Sequence, residues 1–170
     1  MPIPASPSQI DSVATVLQGF CVRRATQVPP ASAAGYSLFQ NTGPVLITGI
    51  WGIVTAAPDA NAELLRLYIG VTGTTDICGL TTTIAAAVLG SVITCTGVFA
   101  TVPVITLPSV PTSHVNFGKT PFLAEILWPY LASAPMPLGL QGTVASNLTI
   151  SIQWNLTYVP LASGAAVAAV

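Results

Sequence analysis

The chain has 170 residues, and only nine of them, four basic and five acidic, carry a formal charge, so the net charge is −1. Charged residues make up 5% of the chain, against about 25% in an ordinary soluble domain. Four scattered cations cannot form the basic stripe that binds nucleic acid, and a 52% hydrophobic content excludes a disordered chain. The one basic pair, Arg23 and Arg24, is expected to be solvated or to lie at an interface.

The residue types favour β-structure. Val, Ile and Thr together account for 51 of the 170 residues, and 14 Gly and 15 Pro supply turns. We therefore predict an all-β fold, an antiparallel sandwich or barrel of jelly-roll-like form. Residues 1–10 are predicted to be an extended N-terminal arm, 11–161 a single β domain and 162–170 a short apolar tail. So few charges suggest that much of the surface is covered in an assembly.

The arm is predicted from Pro2, Pro4 and Pro7, because proline blocks both a helix and the hydrogen bonding of a strand. The N-terminus has no basic region and no continuous apolar run, so we expect no ordinary signal peptide and synthesis in a cytoplasm. Deletion of residues 1–10 is expected to leave the domain folded.

Cys21, Cys78 and Cys95 are odd in number and lack metal-binding spacing. We expect them to be reduced and buried.

The first clear strands lie on either side of a turn at residues 41–44 (NTGP). Residues 36–40 are predicted to form a short strand, and residues 45–55 a strand that is apolar on both faces. Within the longer strand, Gly49 and Gly52 indicate a bulge or a close approach of another group. Trp51, and Trp154 near the end of the chain, are expected in the core.

The middle of the chain predicts further short strands. Alternation over residues 63–71 favours a strand over a two-turn helix, and strands are expected around 77–84 and 91–100. Residues 84–107 are apolar enough to raise the alternative of a membrane span. Their Ser, Thr, Gly and Pro residues and the absence of basic flanks favour successive strands instead. Four prolines in 101–121 predict an irregular excursion, followed by a short strand at 122–127.

The clearest pattern lies near the end, where polar and apolar residues alternate over residues 147–158 (NLTISIQWNLTY). The pattern predicts one strand with a Leu, Ile, Trp and Tyr core face. Its other face carries amides and hydroxyls without charge, which suits a polar partner or a neighbouring strand. The tail 162–170 is small and apolar and would be unfavourable as a free end, so we expect it to dock.

Groups that perform chemistry are scarce. His114 is the only histidine, and the carboxylates of Asp11, Asp59, Glu63, Asp76 and Glu125 are scattered along the chain. Residues 118–120 (GKT) resemble the end of a phosphate-binding loop, but the earlier glycine is missing and Pro121 follows. No zinc spacing is present. We therefore predict no catalytic residue, no cofactor site and no metal site, and a protein that is not an enzyme.

Trp128, Pro129 and Tyr130 form an aromatic segment between prolines. An exposed aromatic loop could stack on sugar rings, which would make the chain a carbohydrate-binding or adhesion module. The alternative is a plug in the core or at a subunit interface.

Two motifs give a family resemblance: residues 48–55 (TGIWGIVT) and the closing strand 151–161 (SIQWNLTYVPL). Together with residues 67–78 (LYIGVTGTTDIC), they resemble small β-rich virion proteins of tailed bacteriophages. In those proteins a similar strand closes the domain and a short Gly/Ala/Val tail follows. The resemblance spans roughly residues 43–165. The Pro-rich segment 101–121 and the Pro-rich arm have no counterpart.

The resemblance implies a structural virion protein, most narrowly a capsid cement or decoration protein that bridges capsomers on the outer head surface. The implied partners are the major capsid protein and further copies of the chain, in a dimer or trimer, with no nucleic acid and no membrane. A head-fibre or tail-associated protein is the alternative within this class. The residues expected at interfaces come from the arm, the aromatic segment and the tail: Pro2, Ile3, Pro4, Trp128, Tyr130, Val167 and Val170.

Overall fold

The computed structural model describes residues 19–29, 35–61, 63–70, 77, 84–94, 104–106, 126–133, 136–142 and 149–170. These residues form strands and one 3-10 turn, with no α-helix among them. The strands are β1 (Phe20–Arg23), β2 (Gly35–Asn41), β3 (Val45–Ala56), β4 (Leu65–Ile69), β5 (Val92–Thr94), β6 (Val104–Thr106), β7 (Ile126–Trp128), β8 (Leu138–Gly142), β9 (Ser151–Pro160) and β10 (Val167–Ala169). The all-β prediction is confirmed.

Two antiparallel sheets enclose one shared hydrophobic core. The first sheet has the order β1-β9-β3-β5-β6, with β7 also paired to β3, and the second has the order β10-β2-β8-β4. The sheets do not close on each other, so of the two predicted architectures the sandwich is supported and the barrel is wrong. The buried faces consist of aliphatic and aromatic side chains from both sheets, as expected for packed sheets.

The longest pairing in the molecule joins β3 to β9, from Val45 opposite Pro160 to Ala56 opposite Ser151. Every second side chain of β9, from Ile152 to Tyr158, is buried in the core. This is the alternation predicted from sequence, and it confirms the closing strand. The strand runs from Ser151 to Pro160 rather than over 147–158, and residues 147–148 lie outside the described part.

A bulge in β3 reverses which residues of that strand face the core. The pairing register shifts between Ile47 and Gly49, so Val45 and Ile47 point inward before the bulge and Ile50 and Val54 after it. Trp51 therefore points away from the core and is half-buried, and the prediction of a core Trp51 is wrong. The predicted bulge is confirmed.

Gly52 provides the space that Trp154 needs. The two residues are cross-strand neighbours on the inner face of the first sheet. A Cβ atom on Gly52 would lie 2.7 Å from Cγ2 of Ile152 and 3.2 Å from Cε3 of Trp154. Trp154 is 2% exposed, as predicted for a core residue. The close approach expected at this glycine is therefore present.

Three other details differ from the predictions. Residues 84–86 form a 3-10 turn where a strand was expected to end, and β6 lies within the segment 101–121 that was expected to be irregular. Cys21 is exposed on β1 rather than buried; Cys78 and Cys95 lie outside the described residues. No helix within the described ranges is long and apolar enough to cross a membrane.

The tail docks, as predicted. β10 pairs with β2 along the edge of the second sheet, and the amide of Val170 donates to the carbonyl of Leu38 at 3.1 Å. Before β10, the amide of Thr42 donates to the carbonyl of Ala166 at 2.9 Å. The final residues thus continue the second sheet and bury Val167.

Arg24 joins the two sheets on the side where their edge strands β1 and β10 lie. Its amide donates to the carbonyl of Trp154 in the first sheet at 2.8 Å. Its Nε donates to the carbonyl of Val170 at 2.6 Å, and its guanidinium lies 4.9 Å from the ring centroid of Tyr36 in the second sheet. Arg24 is 6% exposed. It is therefore a buried link between sheets, and the expected solvated or interfacial role fits only its exposed neighbour Arg23.

We expect Gly52→Ala to lower the free energy of unfolding by about 1–3 kcal/mol, because the added methyl group overpacks the contact with Ile152 and Trp154. Urea denaturation measures the change. Ser163→Ala, at an exposed site in the turn before β10, should change stability by at most about 0.5 kcal/mol. Equal effects of the two substitutions would contradict the packing at Gly52.

Arg24→Ala should lower the free energy of unfolding by about 1.5–3 kcal/mol, since it removes a buried charge-assisted hydrogen bond and leaves the Val170 carbonyl without this donor. Arg23→Ala is the matched control and should change it by at most about 0.5 kcal/mol. Hydrogen exchange of the Val170 amide should accelerate in Arg24→Ala alone. Unchanged exchange would show that Arg24 does not hold the tail.

Candidate interaction surfaces

The aromatic segment 128–130 is divided between core and surface. Trp128 lies on β7 with 0% of its surface exposed, and its Nε1 donates to the carbonyl of Met136 at 2.8 Å. An indole held in this way cannot stack on a sugar or contact a partner, so the expectation of a surface role for Trp128 is corrected. Tyr130, two residues later, is 38% exposed and remains available.

The tail residues are also divided. Val167 is buried opposite Asn41, so its side chain contributes to the chain's own core rather than to a partner. The side chain of Val170 is exposed, while its amide and carbonyl are both hydrogen-bonded within the domain. Pro2, Ile3 and Pro4 lie outside the described residues.

Tyr130 belongs to an apolar surface at one end of the sandwich, which we call the Tyr130 end: Tyr130, Leu131 and Leu161. Val45 pairs with both Trp128 and Pro160, so the chain leaves β7 and β9 at this same end. Leu131 is 54% exposed and Leu161 49%. The segments 41–45, 128–133 and 159–166 that form this end contain no formal charge.

Backbone and amide hydrogen bonds fix the Tyr130 end. Nδ2 of the buried Asn41 donates to the carbonyls of Gly43 at 3.0 Å and Pro129 at 3.1 Å, linking the β2–β3 turn to the segment after β7. The amide of Leu161 donates to the carbonyl of Pro44 at 3.0 Å. The exposed apolar side chains are thus presented from a backbone with fixed positions.

A second apolar surface lies at the opposite end, which we call the Leu89 end: Val28, Val88 and Leu89. The amide of Gly90 donates to the carbonyl of Val54, which places the 87–91 turn beside the last part of β3. An isolated bridge between Gln27 and Ile152 brings Val28 to the same region. All three side chains are exposed, Leu89 by 64%.

The two ends are held apart by β3, which has 12 residues and therefore spans roughly 40 Å. Sequence reasoning found Tyr130 but missed the exposed leucines and valines of both ends. Their only signal was the position of large apolar residues next to prolines and glycines, a pattern that also fits buried turns.

Charged side chains in the described part lie mostly inside or on the second sheet. Glu63 is fully buried, and Nε of Arg66 donates to Oε1 of Gln141 at 2.6 Å on the outer face of the second sheet. Asp59 accepts the amide of Asn61 at 2.8 Å in a turn. Asp11, Asp76 and Glu125 lie outside the described residues, and no group of three or more metal-ligating side chains occurs among the residues that the structure describes.

Arg24, Tyr36 and Glu63 form a buried polar cluster. Burial raises the pKa of Tyr36, Glu63 raises it further, and the nearby Arg24 opposes the shift. Burial likewise lowers the pKa of Arg24, which Tyr36 opposes. The phenol of Tyr36 donates to the carbonyl of Val28 at 3.2 Å. Through Arg24 and Tyr36 this cluster links the first sheet to the second sheet.

Comparison of the chain with protein-family models, with curated proteins and with solved structures found no match.

Stability should fall when the pH rises above about 10, the ordinary pKa of tyrosine. Burial raises the pKa of both Tyr36 and Tyr68 in the folded chain. Above pH 10 the unfolded phenols lose protons that the folded ones retain, so the unfolded state is favoured. Urea midpoints at pH 8 and pH 11 measure this effect. The double variant Tyr36→Phe/Tyr68→Phe should show a smaller decrease, and an equal decrease would exclude these tyrosines as its source.

Proposed function

We propose that this chain is a structural virion protein of a tailed bacteriophage, a capsid cement or decoration protein that bridges neighbouring capsomers on the outer head surface. The resemblance of residues 43–165 to such proteins supports the class. The major capsid protein is the proposed partner, and the binding requires no catalysis.

The observation that carries the proposal is the presence of an apolar surface at each end of a rigid sandwich. A protein that bridges two capsomers needs two separate contact sites with a fixed distance between them. The Tyr130 end and the Leu89 end provide two such sites, and β3 holds them roughly 40 Å apart. Burial of a large aliphatic side chain contributes about 1.5–3 kcal/mol, and this gain repeats with every copy on a head.

The distribution of charge supports the same function. Contacts made through exposed apolar side chains depend little on ionic strength, unlike contacts made through exposed ion pairs. A protein that strengthens a head in changing surroundings benefits from such contacts. The rival carbohydrate-binding function loses its main support because Trp128 is buried.

The proposal is tested with heads assembled without this protein. Wild-type protein should co-sediment with them, at 1 M salt as at low salt, and should raise the temperature at which they release DNA. Leu131→Lys and Leu89→Lys each place a charge in one end and should weaken binding at least about tenfold, because a charge must then be desolvated.

Ala168→Lys is the control, since it adds the same charge at an exposed site on β10 of the second sheet. It should bind heads like the wild type. A variant charged at one end that still binds should no longer raise the temperature of DNA release, because it is attached by one contact only. Wild-type protein that fails to bind heads, or charged ends without effect, would overturn the proposal.

A further inference from the structure

The outer face of the first sheet is the least charged face of the sandwich. The residues of β3 that point away from the core are Leu46 before the bulge and Trp51, Ile53 and Thr55 after it. Their cross-strand neighbours on this face include Val159, Val92 and Leu127. We call this surface the Trp51 face. Trp51 and Ile53 are half-buried, and Leu127 is exposed.

The polar groups of the Trp51 face are amides and hydroxyls. Thr94 lies beside Trp51, and Gln153 and Thr157 lie on β9; Asn155, on the other side of Trp51, is only 2% exposed and is not available to a partner. Amide and hydroxyl side chains both donate and accept hydrogen bonds, so they can pair with identical groups. The outward positions of β3, β5, β7 and β9 carry no formal charge, and Arg23 lies only at the β1 rim.

The outer face of the second sheet differs from the Trp51 face in its charge and in the burial of its aromatic side chain. Arg66 and Gln141 are hydrogen-bonded to each other there. Tyr68 packs against Gly139, where an added Cβ atom would clash with the tyrosine ring, and Tyr68 is only 5% exposed. The second sheet thus covers its own outer face, whereas the first sheet presents a half-buried tryptophan on the strand at its centre.

We infer that the Trp51 face binds the same face of a second copy of this chain, forming a two-fold symmetric dimer. In such an interface each patch meets itself, so an uncharged patch with groups that pair with themselves suffers no like-charge repulsion. Because β5 and β7 lie end to end beside β3, the face is three strands wide and, over the length of β3, measures roughly 580 Å², the size of a weak interface rather than the ~800 Å² per partner of a standard one. Trp51 at its centre is the residue type that most often dominates binding energy.

This inference deepens the proposed function by naming the surface through which copies of the chain meet. The dimer itself does not depend on the proposed function; only the role of the dimer on the head rests on it. A dimer joined through the Trp51 face leaves the Tyr130 and Leu89 ends of both copies open. One dimer would then present four apolar ends to the head surface.

The test uses an isosteric charge. Gln153→Glu changes one amide on the Trp51 face to a carboxylate, and Ala168→Glu places a carboxylate at an exposed site on β10 of the second sheet. Sedimentation equilibrium of the full chain should show a wild-type dimer and an Ala168→Glu dimer. Gln153→Glu should weaken the dimer at least about tenfold, because two like charges would face a shared interface. Ile53→Glu, opposite Gln153, should act in the same way.

Tryptophan fluorescence provides a second readout. Trp128 and Trp154 are buried, so Trp51 is the tryptophan whose surroundings dimerisation would change. Dilution of the wild type through its dissociation should shift the emission to longer wavelength, and monomeric Gln153→Glu should show the shifted spectrum at all concentrations. Near-ultraviolet circular dichroism checks that each variant is folded.

A wild type that stays monomeric up to about 100 µM would overturn the inference. So would a dimer that Gln153→Glu and Ile53→Glu leave intact. If the monomer protects the Trp51 face from hydroxyl-radical labelling, the chain covers this face itself and the inference is wrong. Head binding, measured in parallel, is judged separately: a dimer that does not bind heads would overturn the proposed function alone.

Discussion

The pairing of β3 with β9 is the constraint on which the rest of the molecule depends. Every other strand of the first sheet attaches to one of these two: β1 to β9, β5 and β7 to β3, and β6 through β5. The pairing has a single workable register, because a slip of one residue would turn Trp154 and its neighbours from the core to the outside. Gly52 reinforces that register, since it alone leaves room for the Trp154 ring.

The second determinant is the way in which a chain poor in charge uses its few charges. Arg24 and Glu63 are buried inside the domain. Arg24 connects the backbone of β9 to the end of the tail. The backbone amide of Arg24 bonds to Trp154 and its guanidinium to the Val170 carbonyl, and these directional hydrogen bonds resist sliding of one sheet over the other more than apolar contacts do. The sandwich is thus held together partly by charged residues that lie inside it.

Much of this fold follows from local pattern. The alternation in β9 and the apolar run in β3 each specify one strand, and the turn at 41–44 follows from its residue types. The orientation of Trp51 does not follow, because it depends on the bulge between Ile47 and Gly49. A regular strand starting at Val45 would place position 51 inward, and one extra residue reverses this. A glycine signals that a bulge can form, but the pairing strand decides where it forms.

The candidate surfaces were predicted less well for a different reason. Trp128 and Tyr130 look alike in sequence, yet the pairing of β7 with β3 buries the first and leaves the second exposed. The role of Arg24 depends on Tyr36 and Val170, which are distant in the chain. Exposure and contacts between residues distant in the chain arise only when the sheets assemble. They therefore cannot be predicted from the local pattern of a single sequence.

The short border strands of both sheets limit the addition of strands from other copies of the chain. The border strands whose two ends both lie within described residues are β1, β4 and β10, each of three to five residues, whereas β3 and β9 at the centre have 12 and 10. Such brief edges offer few free amides and carbonyls as a template for another chain. Fibre growth by strand addition is therefore disfavoured. Many copies of the chain can therefore be held at high local concentration without polymerising through their sheet edges.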